Sequence, residues 1–434
     1  MRQRELSIRF LAGGLPVWCL ALCTWSVPAA TLDVEVTASS AAAESPPAGA
    51  VDGDRFSVRA DSLWKGAPGE KVWWWQIRFS EPRPVGAILQ VHGDRPLSLR
   101  NAPKHYLWQS SQNGRTWEDW SETEVRNERR LFRVHRLPQA REVQYLRLMI
   151  HQSIDAAPAV REVEFYAEPD APIGFPDWVV IVDSNERTVP QDEPGLFVNL
   201  IRQCSGWEGL QFQQMPHGAF DEDFVSAEPR PLCAFLTGSS LDWCQVKREP
   251  WRGVQEVLKN RNLPIWGACG GAQILAILEE TGVDKPWDCP RCRDPQAPKL
   301  PVYTHIGHTG EAPCGDYSKN LGERGKYQVR IVARDPVFEG LPELFETMEA
   351  HYGQIAYVPK GWVRVVTKGP KGLTENQCLR VADRYIYAAQ FHIELPGTPE
   401  TSRKIMSNFL TAAKRWGGYN PKGKPVPPPE ALHP

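Results

Sequence analysis

No charge of one sign dominates this 434-residue chain: 50 Lys and Arg stand against 52 Asp and Glu, a formal net charge of -2. That balance excludes a general electrostatic attraction to nucleic acid or anionic membranes, which needs a basic surplus. Beyond the opening segment there is no apolar run of the roughly 20 residues that a bilayer crossing requires. No internal repeat is evident. Cysteine is missing between Cys23 and Cys204, and everything after Cys23 falls within Cys204–Cys378.

What is there is globular. A composition of 41% hydrophobic and 24% charged residues can bury a core, and the length predicts two or three domains. The start reads as a targeting segment, residues 1–30. Arg2, Arg4 and Arg9 form a basic head, an apolar stretch runs from Phe10 to about Val27, and Val27-Pro28-Ala29-Ala30 offers small residues for cleavage. Leu22 before Cys23 argues against a lipoprotein. The expectation is an exported protein, secreted or periplasmic, with an uncleaved membrane anchor as the competing reading. Export permits disulfides. Eight cysteines remain after Cys19 and Cys23 leave, and a free Cys269 would then leave an odd number to pair.

Residues 31–167 alternate short apolar runs with turn signals. The runs include Trp73–Phe79, Val85–Val91 and Tyr145–Ile150, and the turns Val51-Asp52-Gly53-Asp54 and Gln112-Asn113-Gly114-Arg115. Many of the 17 tryptophans lie between Trp64 and Trp120, and large aromatics suit half-buried sheet faces. An all-β sandwich is expected. Residues 168–177, with prolines at 169, 172 and 176, read as a linker. From Trp178 the pattern changes. Trp178–Val182 and Leu232–Leu236 are continuous apolar runs, as for strands buried on both faces, and Trp251–Lys259 has helical spacing. Residues 178–420 are therefore expected to form an α/β doubly wound parallel sheet. The proline-rich tail, 421–434, is expected to be disordered.

The first domain resembles the discoidin, or coagulation-factor type C, family. The resemblance runs through Ala38-Ser39-Ser40, Val51–Asp54, Trp75-Gln76-Ile77, Tyr106–Gly114 with Trp117, Tyr145–Leu148 and Arg161–Tyr166. It implies a galactose-binding-like jelly roll whose ligand would be a glycan or another cell-surface group. A sandwich that only docks on its neighbour is the alternative.

The strongest chemical signal is Gly267-Ala268-Cys269-Gly270-Gly271, between a buried strand (Leu263–Trp266) and a helical stretch from Ala272 to about Glu280. A nucleophile on so sharp a turn sits in strained backbone, and side chains beside it would clash. The following helix's positive end also serves the thiol, since free cysteine is only about 3% thiolate at pH 7. Tyr385–Phe391 reads as a strand delivering His392 and, two residues on, Glu394. A base needs a carboxylate to fix its tautomer and stabilise its charged form. Upstream, Thr237-Gly238-Ser239-Ser240 follows another strand. A backbone N–H of Gly238 or Ser239, with that of Gly270, would bind an oxyanion, each donor being worth about 3 kcal/mol.

In this order, oxyanion loop, Gly-x-Cys-x-Gly elbow and Gln-Phe-His-x-Glu, residues 178–416 resemble the class I glutamine amidotransferases, whose fold is flavodoxin-like. The resemblance implies Cys269 as nucleophile, His392 as base and Glu394 as its orienting acid. It also implies a substrate-holding role for Gln273, while His351, in Glu349-Ala350-His351-Tyr352-Gly353-Gln354, would line the site. Ile393 stands in place of a usual proline, Gly270 in place of a bulkier residue, and Ser239-Ser240 in place of the usual glycine-proline. An insertion after the elbow helix adds Cys289-Pro290-Arg291-Cys292, His305, His308 and Cys314. The Cys289/Cys292 spacing lets both thiolates reach one zinc ion; a disulfide among the three cysteines is the equal alternative.

The reaction itself needs no cofactor. An amidotransferase passes ammonia to a synthase domain, and outside the cytoplasm free ammonia would be lost. Hydrolysis of a small-molecule amide, glutamine or a γ-glutamyl-like compound, is therefore the leading expectation, as in the γ-glutamyl hydrolases. The other is an inactive scaffold in a glycan-binding protein.

Overall fold

The computed structural model describes residues 34–185, 192–287, 302–306, 321–420 and 425–432. The targeting segment, Cys289, Cys292, Cys314 and His308 lie outside the described residues. Among those described, no helix is long and apolar enough to cross a membrane.

Seven antiparallel strands build the first domain: β1 (Val34–Ala38), β2 (Trp64–Lys65), β3 (Trp73–His92), β4 (Pro103–Ser111), β5 (Glu118–Val125), β6 (Phe132–Ser153) and β7 (Ala159–Tyr166). Their order is β2-β7-β3-β6-β4-β5, with β1 paired onto β3. The runs Trp73–Phe79 and Val85–Val91 belong to one long strand. β3 keeps its pairing with β6 through a register break between Arg78 and Arg83, so both strands turn the corner of the sandwich. Trp64, Trp75, Trp108 and Trp120 are fully buried in the core. Each indole N–H finds an acceptor: Ser40 O (3.0 Å), Pro47 O (2.8 Å), Gln90 Oε1 (2.9 Å) and Ser110 Oγ (3.1 Å) respectively. A buried indole is costly without one.

The second domain holds a nine-stranded mixed sheet. β8 (Trp178–Asp183), β9 (Gln211–Pro216), β10 (Cys233–Leu236) and β11 (Ile265–Ala268) come first along the chain. The insertion contributes β12 (Tyr303–His305), and after it come β13 (Glu323–Ile331), β14 (Ala333–Arg334), β15 (Leu344–His351), β16 (Gly353–Ile355), β17 (Trp362–Lys368), β18 (Asn376–Val381) and β19 (Ile386–Ala389). The sheet runs β15-β13-β17-β18-β19-β11-β10-β8-β9. From β19 to β9 it is parallel, and from β18 to β15 antiparallel. The parallel sheet expected from the apolar runs is thus one half of a larger mixed sheet. The alternating burial of β15, with every second residue exposed or half exposed, fits its place at the edge. Helices α1 (Leu196–Ile201), α2 (Glu222–Ser226), α3 (Arg252–Asn260), α4 (Gly270–Glu280) and α5 (Pro399–Trp416) are described around it.

Two segments differ from their reading as linker and loose tail. Residues 168–177 lie against the sandwich: Arg136 donates to Pro169 O (2.6 Å), and Phe175 packs on Phe56 and Phe132. In the tail, Glu430–Ala431 pairs with β14, and the buried Arg380 donates to Pro427 O (2.7 Å). Proline lacks a donor but not an acceptor, and Arg380 uses that carbonyl. Described residues 425–432 are therefore ordered, which corrects the expected disorder there.

The domains are docked, not tethered. Val91, Leu131 and Phe132 of the sandwich share a hydrophobic cluster with Trp178, Phe224 and Val225. Gln213 bridges the seam, accepting from Leu131 N (3.0 Å) and donating to Arg129 O (2.6 Å).

Candidate active site

β10, β11 and β19 are adjacent and parallel, so their carboxyl ends deliver three successive loops to one place. β11 ends at Ala268 and α4 starts at Gly270, leaving Cys269 alone to make the turn. Its φ of 51° and ψ of -110° lie in a region that non-glycine residues avoid. The turn is pinned: Cys269 N donates to Ala389 O (2.8 Å), and Ala272 N and Gln273 N both donate to Cys269 O (3.0 Å). Close approach explains the glycines that follow. A Cβ on Gly270 would stand 2.6 Å from Ser239 Cβ, and one on Gly271 would stand 2.5 Å from Leu236 O. The thiol, 4% exposed, lies at the amino end of α4 and meets Ala350 O at 3.8 Å.

β19 leads through Gln390 and Phe391 to His392, whose backbone N–H donates to Met348 O (2.8 Å) and so ties it to β15. Its Nδ1 donates to Glu394 Oε1 at 2.6 Å. Nε2 is buried and makes no hydrogen bond. Burial opposes charge on His392, but the Glu394 carboxylate and then Cys269 outweigh it and hold the pKa well above its usual value. The ring is wedged, since a Cβ on Gly238 would lie 2.9 Å from His392 Cε1 and 3.8 Å from Cys269 Cβ.

Asn185, at the end of β8, braces the loop after β10. Its Oδ1 accepts from Ser239 Oγ and Ser240 N (both 3.4 Å), and its Nδ2 donates to Asp183 Oδ1 (2.8 Å). Gln273 is held on both sides: its Oε1 accepts from Trp243 Nε1 (3.0 Å) and its Nε2 donates to Gln390 Oε1 (3.2 Å). All these groups border one cavity of about 720 Å³, which Asn185, Leu196, Ser239, Cys269, Arg324 and His392 help to line.

Residues 35–165 match the F5/8 type C domain family, and residues 248–412 match the family described as glutamine amidotransferase class-I. The chain carries an F5/8 type C domain followed by a class I glutamine amidotransferase domain. Among its relatives is the glutamine-hydrolysing GMP synthase of Thermosipho melanesiensis, 32% identical over 219 residues, which are 50% of this chain and 33% of that protein. The chain therefore spans about a third of that relative's length. A glutamine-hydrolysing GMP synthase subunit from Pyrococcus abyssi is 23% identical over 51% of this chain and 95% of its own length. Among solved structures, a GMP synthase subunit from Thermoplasma acidophilum covers 56% of this chain and 96% of its own at 19% identity, with a TM-score of 0.40. A chitosan-binding module from a Paenibacillus chitosanase/glucanase covers 31% and 95% at 18% identity, with a TM-score of 0.26.

In the amidotransferase domain the structure brings together Cys269, His392, Glu394, Gly238, Ser239, Gly270, Gln273 and His351. Of the insertion's metal candidates only His305 is described. It is buried with Nε2 3.3 Å from Tyr303 Oη, and 3.9 Å from Asp242 Oδ1. Among the described residues Cys204, Cys233, Cys269 and Cys378 are free thiols.

His351, read from sequence as a lining residue, has a more specific setting. Nδ1 meets Gly353 O at 2.9 Å, and Nε2 lies 3.1 Å from Glu323 Oε2 and 3.0 Å from Glu349 Oε2. A carbonyl beside Nδ1 and two carboxylates beside Nε2 favour a proton on each nitrogen, and so the charged ring. Burial works against that charge, yet Glu323 and Glu349 raise the pKa to about 10. The three side chains place possible metal-ligand atoms within 4.8 Å of one another, but the charged ring already occupies the place of a cation. Glu349 and His351 alternate along β15 and so share a face. Glu323 arrives from β13, directly across from His351, and no local sequence signal announces it.

Proposed function

We propose that the amidotransferase domain hydrolyses a side-chain amide, glutamine or a γ-glutamyl-like compound, through a thioester on Cys269. The observation that carries this reading is the set Cys269–His392–Glu394, with an elbow cysteine at positive φ beside a histidine whose far nitrogen is held by a carboxylate. His392 Nε2 holds the proton it has taken from the thiol as Sγ attacks the amide carbonyl carbon. The oxyanion is received by backbone N–H groups of Gly270 and of Gly238 or Ser239. When the C–N bond breaks, His392 returns the proton to the leaving ammonia or amine. Water, deprotonated by His392, then attacks the thioester, and the acid leaves as Sγ regains its proton. Arg324, exposed on the cavity wall and paired in register with Ala350, supplies positive charge for a substrate carboxylate.

Glutamine hydrolysis in the names of the GMP synthase relatives supports the amide class. The basic head and apolar stretch at the start support action outside the cytoplasm. For the sandwich we propose a surface glycan, supported by its family match. The test is selective alkylation. A glutamine-analogue affinity label should modify Cys269 in the wild type, and Cys269→Ala should abolish both labelling and amine release from γ-glutamyl compounds. Selective glycan binding with no labelling in reducing buffer would favour the inactive-scaffold reading instead.

A further inference from the structure

We propose that the sandwich loop Leu97–Arg100 is a positioning element for the catalytic cavity, so that one wall of the substrate site is set by domain docking. The inference rests on the amide-hydrolase reading for what the cavity holds, but its geometry stands independently. The wall in question is the segment from Asp192 into the start of α1, where Gly195, Leu196 and Phe197 line the cavity. Leu196 is 49% exposed there, an apolar surface facing the space a substrate would fill.

This segment belongs to no strand, so its polar groups must be held from elsewhere. One anchor is Gln214 on β9. Its Oε1 accepts from Gly195 N (2.9 Å) and its Nε2 donates to Glu193 O (2.9 Å). The other anchors come from the sandwich. Ser98 Oγ donates to Asp192 Oδ1 (2.5 Å), and Arg100 Nη1 donates to Asp192 Oδ2 (2.9 Å). The same loop fixes Gln214, whose backbone N–H donates to Leu97 O at 2.7 Å. β9 is the last strand of the sheet, and an open edge exposes donors that need a cover. Leu97 supplies that cover and is itself only 2% exposed, packed in the amidotransferase domain's cluster with Ile181, Phe197 and Phe212. A residue of one domain thus sits in the core of the other, two side chains of its loop grip the cavity wall, and its carbonyl seats the glutamine that grips the rest.

The test uses the full chain with Ser98→Ala and Arg100→Ala combined, and Ser98→Thr as the variant that keeps the hydroxyl. Neither residue borders the cavity, so a merely structural role predicts no selective kinetic change. We expect KM for the hydrolysed amide to rise about tenfold, as for loss of about 1.4 kcal/mol of positioning, with kcat within about twofold. Ser98→Thr should stay near wild type. Hydrogen exchange at Gly195–Phe197 should quicken in the double variant while the core of β10 and β11 is unchanged. An unchanged KM, or unchanged exchange at Gly195–Phe197, overturns the proposal. If no amide is hydrolysed by the wild type, the functional reading fails and the exchange measurement alone decides the positioning.

Discussion

His392 Nδ1 and Glu394 Oε1 lie 2.6 Å apart although only one residue separates them in the chain. That contact fixes which nitrogen carries the proton and leaves Nε2 for the thiol. Glu394→Gln removes the charge and can present its amide N–H to Nδ1, favouring the wrong tautomer. We expect kcat to fall by about 10²–10⁴-fold, on the scale of the analogous change in a serine-protease triad, with the fold intact by circular dichroism. A fall of less than about threefold in amine release would take Glu394 out of the mechanism.

Gly270 offers a steric test of the oxyanion loop. An added Cβ would meet Ser239 Cβ at 2.6 Å and Ser239 N at 2.7 Å, so Gly270→Ala must push the loop away from the elbow. Displacing one donor costs about 10²-fold in kcat, and KM should change far less. Gly209→Ala is the control, because a Cβ there meets nothing within 4 Å. Steady-state kinetics on the pair checks this; equal effects of the two would count against the loop's role.

His351 predicts a pH dependence of stability. Its pKa is raised to about 10 in the folded protein, against about 6.5 unfolded. A raised histidine contributes stability that is complete below about pH 6.5 and is lost as pH climbs through about 10. His392, also raised, adds a slope of the same sign, so the comparison must be made by difference. His351→Gln should flatten the decline in urea unfolding free energy between pH 6.5 and 10 and leave a weaker protein at pH 6.5. Identical slopes for variant and wild type would show that the ring is not held charged.

The legibility of this chain followed the range of the interactions. The elbow, the His392–Glu394 pair and the loop after β10 were readable because each is local: a glycine-flanked cysteine after a buried strand, or two residues on one strand end. Helix α3 was readable from its apolar spacing. The antiparallel half of the sheet was not, because β13, β15 and β17 carry mixed burial patterns, and β18, though wholly buried, is built of Asn376, Gln377 and Arg380 as much as of apolar residues, so no apolar run marks it. Nor was Glu323, which meets His351 only through the pairing of β13 with β15. The docking of the domains was equally hidden. Leu97 sits in a polar loop, and nothing beside it in sequence says that its cover is the other domain.

Arg130 gives the sharpest test of that docking. It is 1% exposed, and its guanidinium reaches across the seam, donating to the carbonyls of Phe224 and Pro229 as well as to Phe132 O at 3.0 Å. Its charge also lies 5.2 Å from the ring centroids of Trp178 and of Phe224. Arg130→Met keeps much of the stem's length and apolar packing but removes every donor. Two buried carbonyls of the amidotransferase domain then lose a charged partner, at about 1–3 kcal/mol each, while the aromatic contacts lose their electrostatic part. We therefore expect a loss of roughly 2–5 kcal/mol in the coupling between domains. Calorimetry should turn a single unfolding transition into two, the sandwich and the amidotransferase domain melting separately. The split matters for function as well as stability. If the cavity wall at Gly195–Phe197 depends on docking, Arg130→Met should also raise KM although its side chain does not border the cavity. A variant that melts as one unit at the wild-type temperature would mean that the apolar seam of Leu131, Phe132 and Trp178 suffices without the arginine.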